Sequence, residues 1–355
     1  MPLSESEWLK GEREIIDKFF STKVPGRLGP GPGGTICTEA DCIQLAQKIL
    51  GTRDIQPVDN QGANSFTLSS KSKSQVVQFR LEPFKDDMLQ LAARIYGSQI
   101  SVAAVPSHAV GFPLPVYTSN VIPGKVHILQ DFPDHGFPLA RQQQTVADLA
   151  KFIALSSHFP QPRSACDVDG WTTTAPQVVD QLLGNKSLQL LAPALVPILT
   201  DLKTSIHLLD TLPLVLTHHD LSELNIFVDQ DGHVTGVIDF ETATIEAFGM
   251  AMWGIYECFL GGMEDGKFAF FNQVTAESGS GTVRESLEGT FWQTLWSSVS
   301  PELSSENERA VRAALAIGVI RRYFIRGMLG NIDPSDRVHA VSLEYAKGIL
   351  PAVWL

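Results

Sequence analysis

Apolar positions along the chain change period twice. Over residues 38–50, TEADCIQLAQKIL spaces them as a helix does, behind Thr38 as N-cap and an acidic first turn. Over 64–81 the period drops to two. NSFTLSS (64–70) and QVVQFRL (75–81) alternate, are rich in Val and Phe, and flank the polar turn KSKS, which predicts a hairpin. Helical spacing returns in DDMLQLAARIYG (86–97), where Met88, Leu91, Ala92 and Ile95 share a face and Gly97 stops the element. Residues 101–124 hold two or three short strand-like runs broken by prolines. Beyond them helices dominate: 139–157 with a stripe of Val146, Leu149, Ala150 and Ile153, two stretches in 176–209 interrupted at Gly184 and Pro193, then 283–299, 306–329 and 335–350. Between these, 214–241 is strand-like. LPLVL (212–216) leads into a loop, and NIFV (225–228) and HVTGVID (233–239) flank the turn DQDG.

At the N-terminus, residues 4–20 read as an amphipathic helix with Trp8, Ile15, Ile16, Phe19 and Phe20 in apolar positions. VPGRLGPGPGG (24–34) then breaks regular structure. It lacks a Gly-Lys-Ser/Thr ending and no strand precedes it, so it reads as a linker rather than a phosphate loop. The pattern as a whole predicts an α+β chain: N-terminal helices and linker (1–50), a small lobe of mainly antiparallel sheet with one helix (51–122), and a large helical part (123–355).

A length of 355 residues leaves room for two such parts, and 44% hydrophobic residues supply their cores. No run of about eighteen apolar residues suggests a membrane span. The N-terminus mixes acids and bases and lacks the profile of a secretory signal. Cys37, Cys42, Cys166 and Cys258 form no close CxxC pair and fit a reduced, cytoplasmic setting. A net charge of −12 argues against broad nucleic-acid binding and is compatible with a cationic partner.

The chemistry concentrates in LTHHDLSELN (216–225) and VIDFE (237–241). Asp220 lies in a loop after an apolar strand, and Asn225 follows five residues later. A hairpin returns the chain, so Asn225 at its entry and Asp239 at its exit should be neighbours. Two carboxylates and an amide oxygen suit phosphoryl transfer. One carboxylate can orient an acceptor hydroxyl, while the other oxygens hold Mg²⁺, a hard cation. The adjacent His218 and His219 point to opposite faces of an extended segment, with no Cys nearby in sequence, which disfavours zinc. Asp229 and Asp231 lack the remainder of a calcium loop and read as turn residues.

His218-His219-Asp220-Leu221-Ser222-Glu223-Leu224-Asn225 resembles the HxDxxxxN loop of kinase-like phosphotransferases, and Ile238-Asp239-Phe240-Glu241 resembles their IDxE segment. The combination is similar to the aminoglycoside phosphotransferase and choline kinase-like family. That resemblance implies a bilobal protein-kinase-like fold, with ATP in the cleft between residues 55–122 and the helical lobe. Its γ-phosphoryl group would pass to a hydroxyl of a small molecule. Asp220 would be the catalytic base, Asn225 and Asp239 the Mg²⁺ ligands, and His218 a support of the loop. Weaker matches extend over residues 55–260. VDNQGANSFTL (58–68), with Gly62 and Asn64, resembles the nucleotide-covering hairpin. VVQFR (76–80) resembles the phosphate-binding strand, with Arg80 as the cation and Asp87 or Asp86 as its carboxylate partner. VYTSNVIPG (116–124) resembles the hinge, where backbone near Ser119, Asn120 and Val121 would meet adenine.

The chain departs from the family in two places. Gly249 stands where many members carry a loop-bracing Asp, and His219 replaces the usual Gly. The first departure and the single glycine of the covering loop motivate one alternative, a silent kinase-like binding protein; a kinase fold turned to other small-metabolite chemistry is a second. Glu246, Glu257, Glu264 and Asp265 would favour an amine-bearing acceptor. Trp253, Tyr256, Phe259 and Phe270 read as core rather than pocket, Arg321-Arg322 as a solvated helix face, and Glu241 equally as a metal-adjacent or a surface acid.

Overall fold

The computed structural model describes residues 5–29, 37–101, 103–324 and 327–354. Residue 4 of the first predicted helix, residues 30–34 of the Pro/Gly stretch, residue 102 and residues 325–326 of a predicted helix lie outside them. The chain divides into two compact units. One runs to Ala93 and resumes over Ser98–Pro123; the other comprises Arg94–Gly97 and everything from Gly124 onward.

The first unit opens with α1 (Glu5–Lys18), a π-helical turn (Phe19–Lys23) and α2 (Val24–Leu28). The sequence predicts a break at 24–34, yet residues 24–28 are helical. Pro25 sits in the first turn, where its missing N–H costs nothing, and Gly29 ends the helix at φ 67°. Helix α3 (Glu39–Leu50) starts at Thr38, whose hydroxyl accepts from the Asp41 N–H while the Asp41 carboxylate receives the Thr38 N–H; Gly51 closes it in left-handed backbone.

Four antiparallel strands follow in the order β1 (Gln56–Pro57), β2 (Ser65–Ser70), β3 (Gln75–Arg80), β4 (Val116–Asn120), with α4 (Asp86–Tyr96) between β3 and β4. Alternation sends Phe66, Leu68, Val77 and Phe79 to the core side, where they meet Phe19, Val24, Cys42 and Ala46. Phe66 faces Phe79 across the ladder, and Phe20 stands edge-on to Phe66 at 5.0 Å. The described residues of 101–115 contribute one isolated bridge, Ala104 to Thr118, rather than further strands, because Pro106, Pro113 and Pro115 cannot donate to a ladder.

The loop before β2 is pinned from α1. The Gln61 N–H donates to the Glu12 carboxylate at 2.5 Å, and the Gln61 side chain bonds to Val58 O, Thr67 O and Thr67 N–H. Burial raises the Glu12 carboxyl above its ordinary value. A raised folded-state value means stability that is full below about pH 4.5 and declines as pH rises. Glu12→Gln keeps an acceptor for Gln61 without the buried charge. Its melting temperature should therefore equal or exceed that of the wild type at pH 7.5, with the advantage vanishing towards pH 4, as read by calorimetry.

The second unit holds a three-stranded sheet β5 (Lys125–Val126), β7 (Ile226–Val228), β8 (Val234–Val237), ordered β5-β7-β8, and the antiparallel pair β6 (Leu214–Thr217) and β9 (Thr244–Ala247). Its early helices are α5 (Leu139–Leu155), α6 (Trp171–Gly184), α7 (Lys186–Leu191) and α8 (Leu195–Ser205), three elements where the sequence suggests two between 176 and 209. Asn185 separates α6 from α7 by capping the latter through Leu188 N–H. Later come α9 (Trp253–Cys258), the hairpin β10 (Gly261–Glu264) and β11 (Lys267–Phe270), then α10 (Val283–Ser298), α11 (Glu308–Tyr323) and α12 (Arg337–Trp354). Val311 and residues 313–317, 319 and 320 of α11 are fully buried, which makes it the unit's central helix. Among the described residues no helix is long and apolar enough to cross a membrane.

Candidate active site

Strand β6 delivers the chain into the 218–225 loop, and β7 and β8 return it to Asp239. His218 is buried and holds both ends of this path. Its Nε2–H donates to Ile238 O at 2.8 Å, and its Nδ1 accepts the Asp220 N–H at 3.2 Å. A carbonyl can only accept, so the tautomer is fixed and the ring is neutral. Burial agrees, pushing the imidazole below its ordinary value.

Asn225 sets the next relation. Its Nδ2 donates to Asp220 O at 2.8 Å and to Asp220 Oδ2 at 3.1 Å, which leaves the amide oxygen directed away from Asp220. The Ile238 N–H donates to Asn225 O, so the β7–β8 ladder brings Asn225 beside Ile238 and Asp239. Asp239 has φ 67° and ψ 60°, left-handed backbone that only Gly, Asn and Asp visit readily. The turn between the strands is built as the sequence suggests. Asp229 Oδ1 accepts from the Asp231 and His233 N–H groups, and Gly232 takes φ 85°.

Hard oxygens on Asn225 and Asp239 fit Mg²⁺, which commonly takes one or two protein ligands and completes its shell with phosphate oxygens and water. Among the described residues no cluster of three or more His, Cys, Asp or Glu side chains assembles as a metal cage.

The loop is braced by a route that needs no Asp at 249. A Cβ on Gly254 would run into Leu221 O, so the loop carbonyl rests against the bare backbone of α9. Gly249 itself has φ 111°, and a Cβ there would lie 2.9 Å from Val311 O. Glycine is what these positions require. Gly254→Ala, which in an open helix would stabilise, should here destabilise by about 1–3 kcal/mol and depress any turnover that depends on the loop. A variant that melts like the wild type and is equally active would show that the loop is not seated there.

A cleft of about 410 Å³ lies beside Asp220, lined by residues 167 and 169–171 before and at the start of α6, His219, Thr242, Thr244, Glu246, Arg321 and Arg322. Glu246 does not serve this cleft as a free acid. It is buried and accepts the Trp171 and Thr172 N–H groups at 2.9 and 2.7 Å, and the Thr172 hydroxyl at 2.7 Å. It thus neutralises the N-terminus of α6. The Thr244 hydroxyl donates to Glu246 at 3.2 Å, so His219 Nε2 must be the donor in its 2.5 Å bond to Thr244. His219 also stands edge-on to Trp171, ring centroids 4.2 Å apart.

The reading of Arg321-Arg322 as a solvated face is corrected. Arg322 lies 4.4 Å over the Trp253 ring, with Glu257 at 3.4 Å and Asp220 Oδ1 at 3.6 Å. Glu257 in turn accepts the Tyr323 hydroxyl, so it too is engaged rather than facing an acceptor. The available signal was the helix itself. AALAIGVI (313–320) is apolar on every side over two turns, and such a helix is buried, so charges at its end must meet protein. Trp253, Tyr256 and Phe259 are core, as the spacing suggests, whereas Phe270 at the end of β11 is only half-buried, with the Arg284 guanidinium 3.8 Å over its ring.

The remaining sequence-predicted residues belong to the first unit. Gly62 opens a turn in which Ser65 N–H donates to Gly62 O, and a Cβ on Gly62 would crowd the Ser65 hydroxyl at 2.5 Å. Asn64 accepts from Lys23 Nζ at 3.1 Å. Arg80 is buried at the end of β3, 3.3 Å from Gln78 Oε1 and 4.0 Å over the Phe84 ring. Asp86 and Asp87 open α4, where the Asp87 carboxylate accepts the Met88 N–H. Ser119 pairs with Val76 in the ladder, and the Val121 N–H donates to Ser74 O at 3.0 Å.

Residues 122–250 match the family model described as phosphotransferase enzyme family. A GDP complex of an aminoglycoside 2'-phosphotransferase variant superposes with a TM-score of 0.54 at 14% identity, covering 89% of this chain and 97% of that one. The fold is kinase-like. A spectinomycin phosphotransferase solved with ADP and spectinomycin gives 0.52 at 12% identity over 89% of this chain and 97% of the other. A Plasmodium vivax ethanolamine kinase gives 0.52 at 12% identity over 99% and 97%. No curated protein matches the sequence. At these identities the likeness is one of kinase-like fold.

Proposed function

We propose that the protein is an ATP- and Mg²⁺-dependent phosphotransferase that modifies a hydroxyl group of a small molecule. The observation that carries this is the network around the loop. His218, Asp220 and Asn225 are hydrogen-bonded into one unit, with Asp239 at the exit of the adjoining hairpin. The kinase-like neighbours described with ADP, GDP and spectinomycin, and as an ethanolamine kinase, support a nucleotide donor and an alcohol acceptor.

In this reading the Asp220 carboxylate orients the acceptor hydroxyl and takes its proton. Asn225 fixes the Asp220 rotamer with its nitrogen and offers its oxygen, with Asp239, to Mg²⁺. Bound Mg²⁺ would neutralise charge on the phosphate oxygens. Arg80 would hold phosphate oxygens, with Asp87 a candidate partner, and the Gly62–Asn64 turn and the Ser119–Val121 backbone would contact the nucleotide. Titration of the protein with ATP and Mg²⁺ in a calorimeter tests the donor half. Absence of any nucleotide binding would end the proposal.

A silent binding protein is the second reading, and one observation favours it. The Val121 N–H, which an adenine would need as a donor, already serves Ser74 O. Phosphorylation of an acceptor, seen as a gain of about 80 mass units, decides between the two.

A further inference from the structure

The two guanidinium groups lining the cleft beside Asp220 differ in their surroundings. Arg322 is matched by Asp220 and Glu257. Arg321 lines the same cleft with its guanidinium 5.7 Å from the Trp171 ring centroid, and makes no ion pair or hydrogen bond among the described residues. It is half-buried, and the loss of water shows in the lowered pKa of the group. A half-buried guanidinium whose N–H groups find no acceptor is unfavourable, and the charge of nearby Glu246 offsets only part of that cost unless a ligand supplies the rest.

The acids of the cleft do not meet that need. Glu246 is occupied by the α6 N-terminus and Thr172, and Asp220 by Asn225 and Arg322. Asp167 accepts the Asp169 N–H at 3.1 Å, and both of these aspartates are exposed. The inner part of the cleft therefore carries one guanidinium whose N–H donors meet no acceptor among the described residues, beside the carboxylate that faces the acceptor hydroxyl.

We infer that the acceptor is a small alcohol bearing a carboxylate, which the planar fork of Arg321 binds while its hydroxyl meets Asp220. The inference rests on the phosphotransferase reading of Asp220 and names the acceptor class for it. The fork geometry of a single free guanidinium favours a carboxylate, with one negative charge, over a phosphate dianion, which the aspartates of the cleft repel more strongly. In the step itself, the hydroxyl oxygen bonds to the γ-phosphorus of ATP and the bond from that phosphorus to the bridging oxygen breaks. ADP leaves and the hydroxyl proton passes to Asp220.

The test is a calorimetric panel on the full chain: the hydroxy acids glycerate and gluconate, the neutral glycerol and glucose, the amines serinol and glucosamine, and glycerol 3-phosphate. At least one hydroxy acid should bind about tenfold or more tightly than its neutral counterpart. R321Q should weaken that binding by about tenfold or more, and R321K should fall between, because it keeps the charge and loses the fork. Equal binding of acids and neutral alcohols, tightest binding of an amine or of the phosphate, or an unchanged Kd in R321Q would each overturn the inference. ATP-dependent mass gain is read separately. A hydroxy acid bound through Arg321 but never phosphorylated would refute the transfer reaction and leave the carboxylate site standing. Phosphorylated amines would do the reverse.

Discussion

Asp220→Asn should lose about 10²–10⁴-fold in kcat for ATP-dependent phosphorylation while melting within about 1 kcal/mol of the wild type. The two halves of this expectation have separate causes. Asparagine keeps the shape of the side chain, and its oxygen still accepts from Asn225 Nδ2, now 3.1 Å from Asp220 Oδ2. The backbone bonds that seat the loop, Asp220 N–H to His218 Nδ1 and Asn225 Nδ2 to Asp220 O, do not involve the carboxylate. What disappears is the proton acceptor and a 3.6 Å ion pair with Arg322, which is long, joins partly exposed groups and leaves Arg322 still paired with Glu257, so its contribution to stability is small. An inactive variant with an unchanged melting temperature would place the effect on the chemistry. Undiminished turnover in Asp220→Asn would remove Asp220 from the reaction and favour a silent scaffold or another base.

The sequence made some of this legible because the signals were local. Thr38 and Asp41 are three residues apart and form their capping box without help. The Val/Phe alternation of β2 and β3 carries its own register through a four-residue turn. The hairpin from Asn225 to Asp239 is likewise short, and its neighbours follow from antiparallel geometry alone. The acceptor side of the candidate site was not legible, because it depends on pairs far apart in sequence. Trp171 meets His219 across the start of α6, Glu246 reaches back to Thr172, and Arg322 reaches Asp220 from a helix about a hundred positions later. Nothing in the spacing of these residues marks them. Loop bracing through Gly254 was also hidden, since a glycine pressed against a carbonyl looks in sequence like any helical glycine. Residues 24–28 depart from the expected break for a different reason. Proline and glycine there punctuate a short helix at its start and end rather than abolishing it.

Asp239→Gly should separate function from stability most sharply. At φ 67° an L-residue pays about 1–2 kcal/mol that glycine does not, while glycine adds unfolded-chain entropy of about 0.5–1 kcal/mol. The net effect on folding is small, and the melting temperature should stay within a few degrees of the wild type. Phosphorylation should nonetheless fall by about 10²–10³-fold, because the carboxylate that offers charged oxygen to Mg²⁺ is gone and Asn225 alone supplies only a neutral one. Raising Mg²⁺ should recover part of the lost rate if the defect is metal affinity. A variant that collapses thermally would mean that the Asp239 side chain holds the hairpin together. A variant that is both stable and fully active would take the metal away from this hairpin exit. The strained backbone is itself an argument for the first outcome. A left-handed position next to a tight hairpin is most cheaply filled by glycine, so an aspartate kept there is better explained by what its carboxylate binds than by what its backbone contributes.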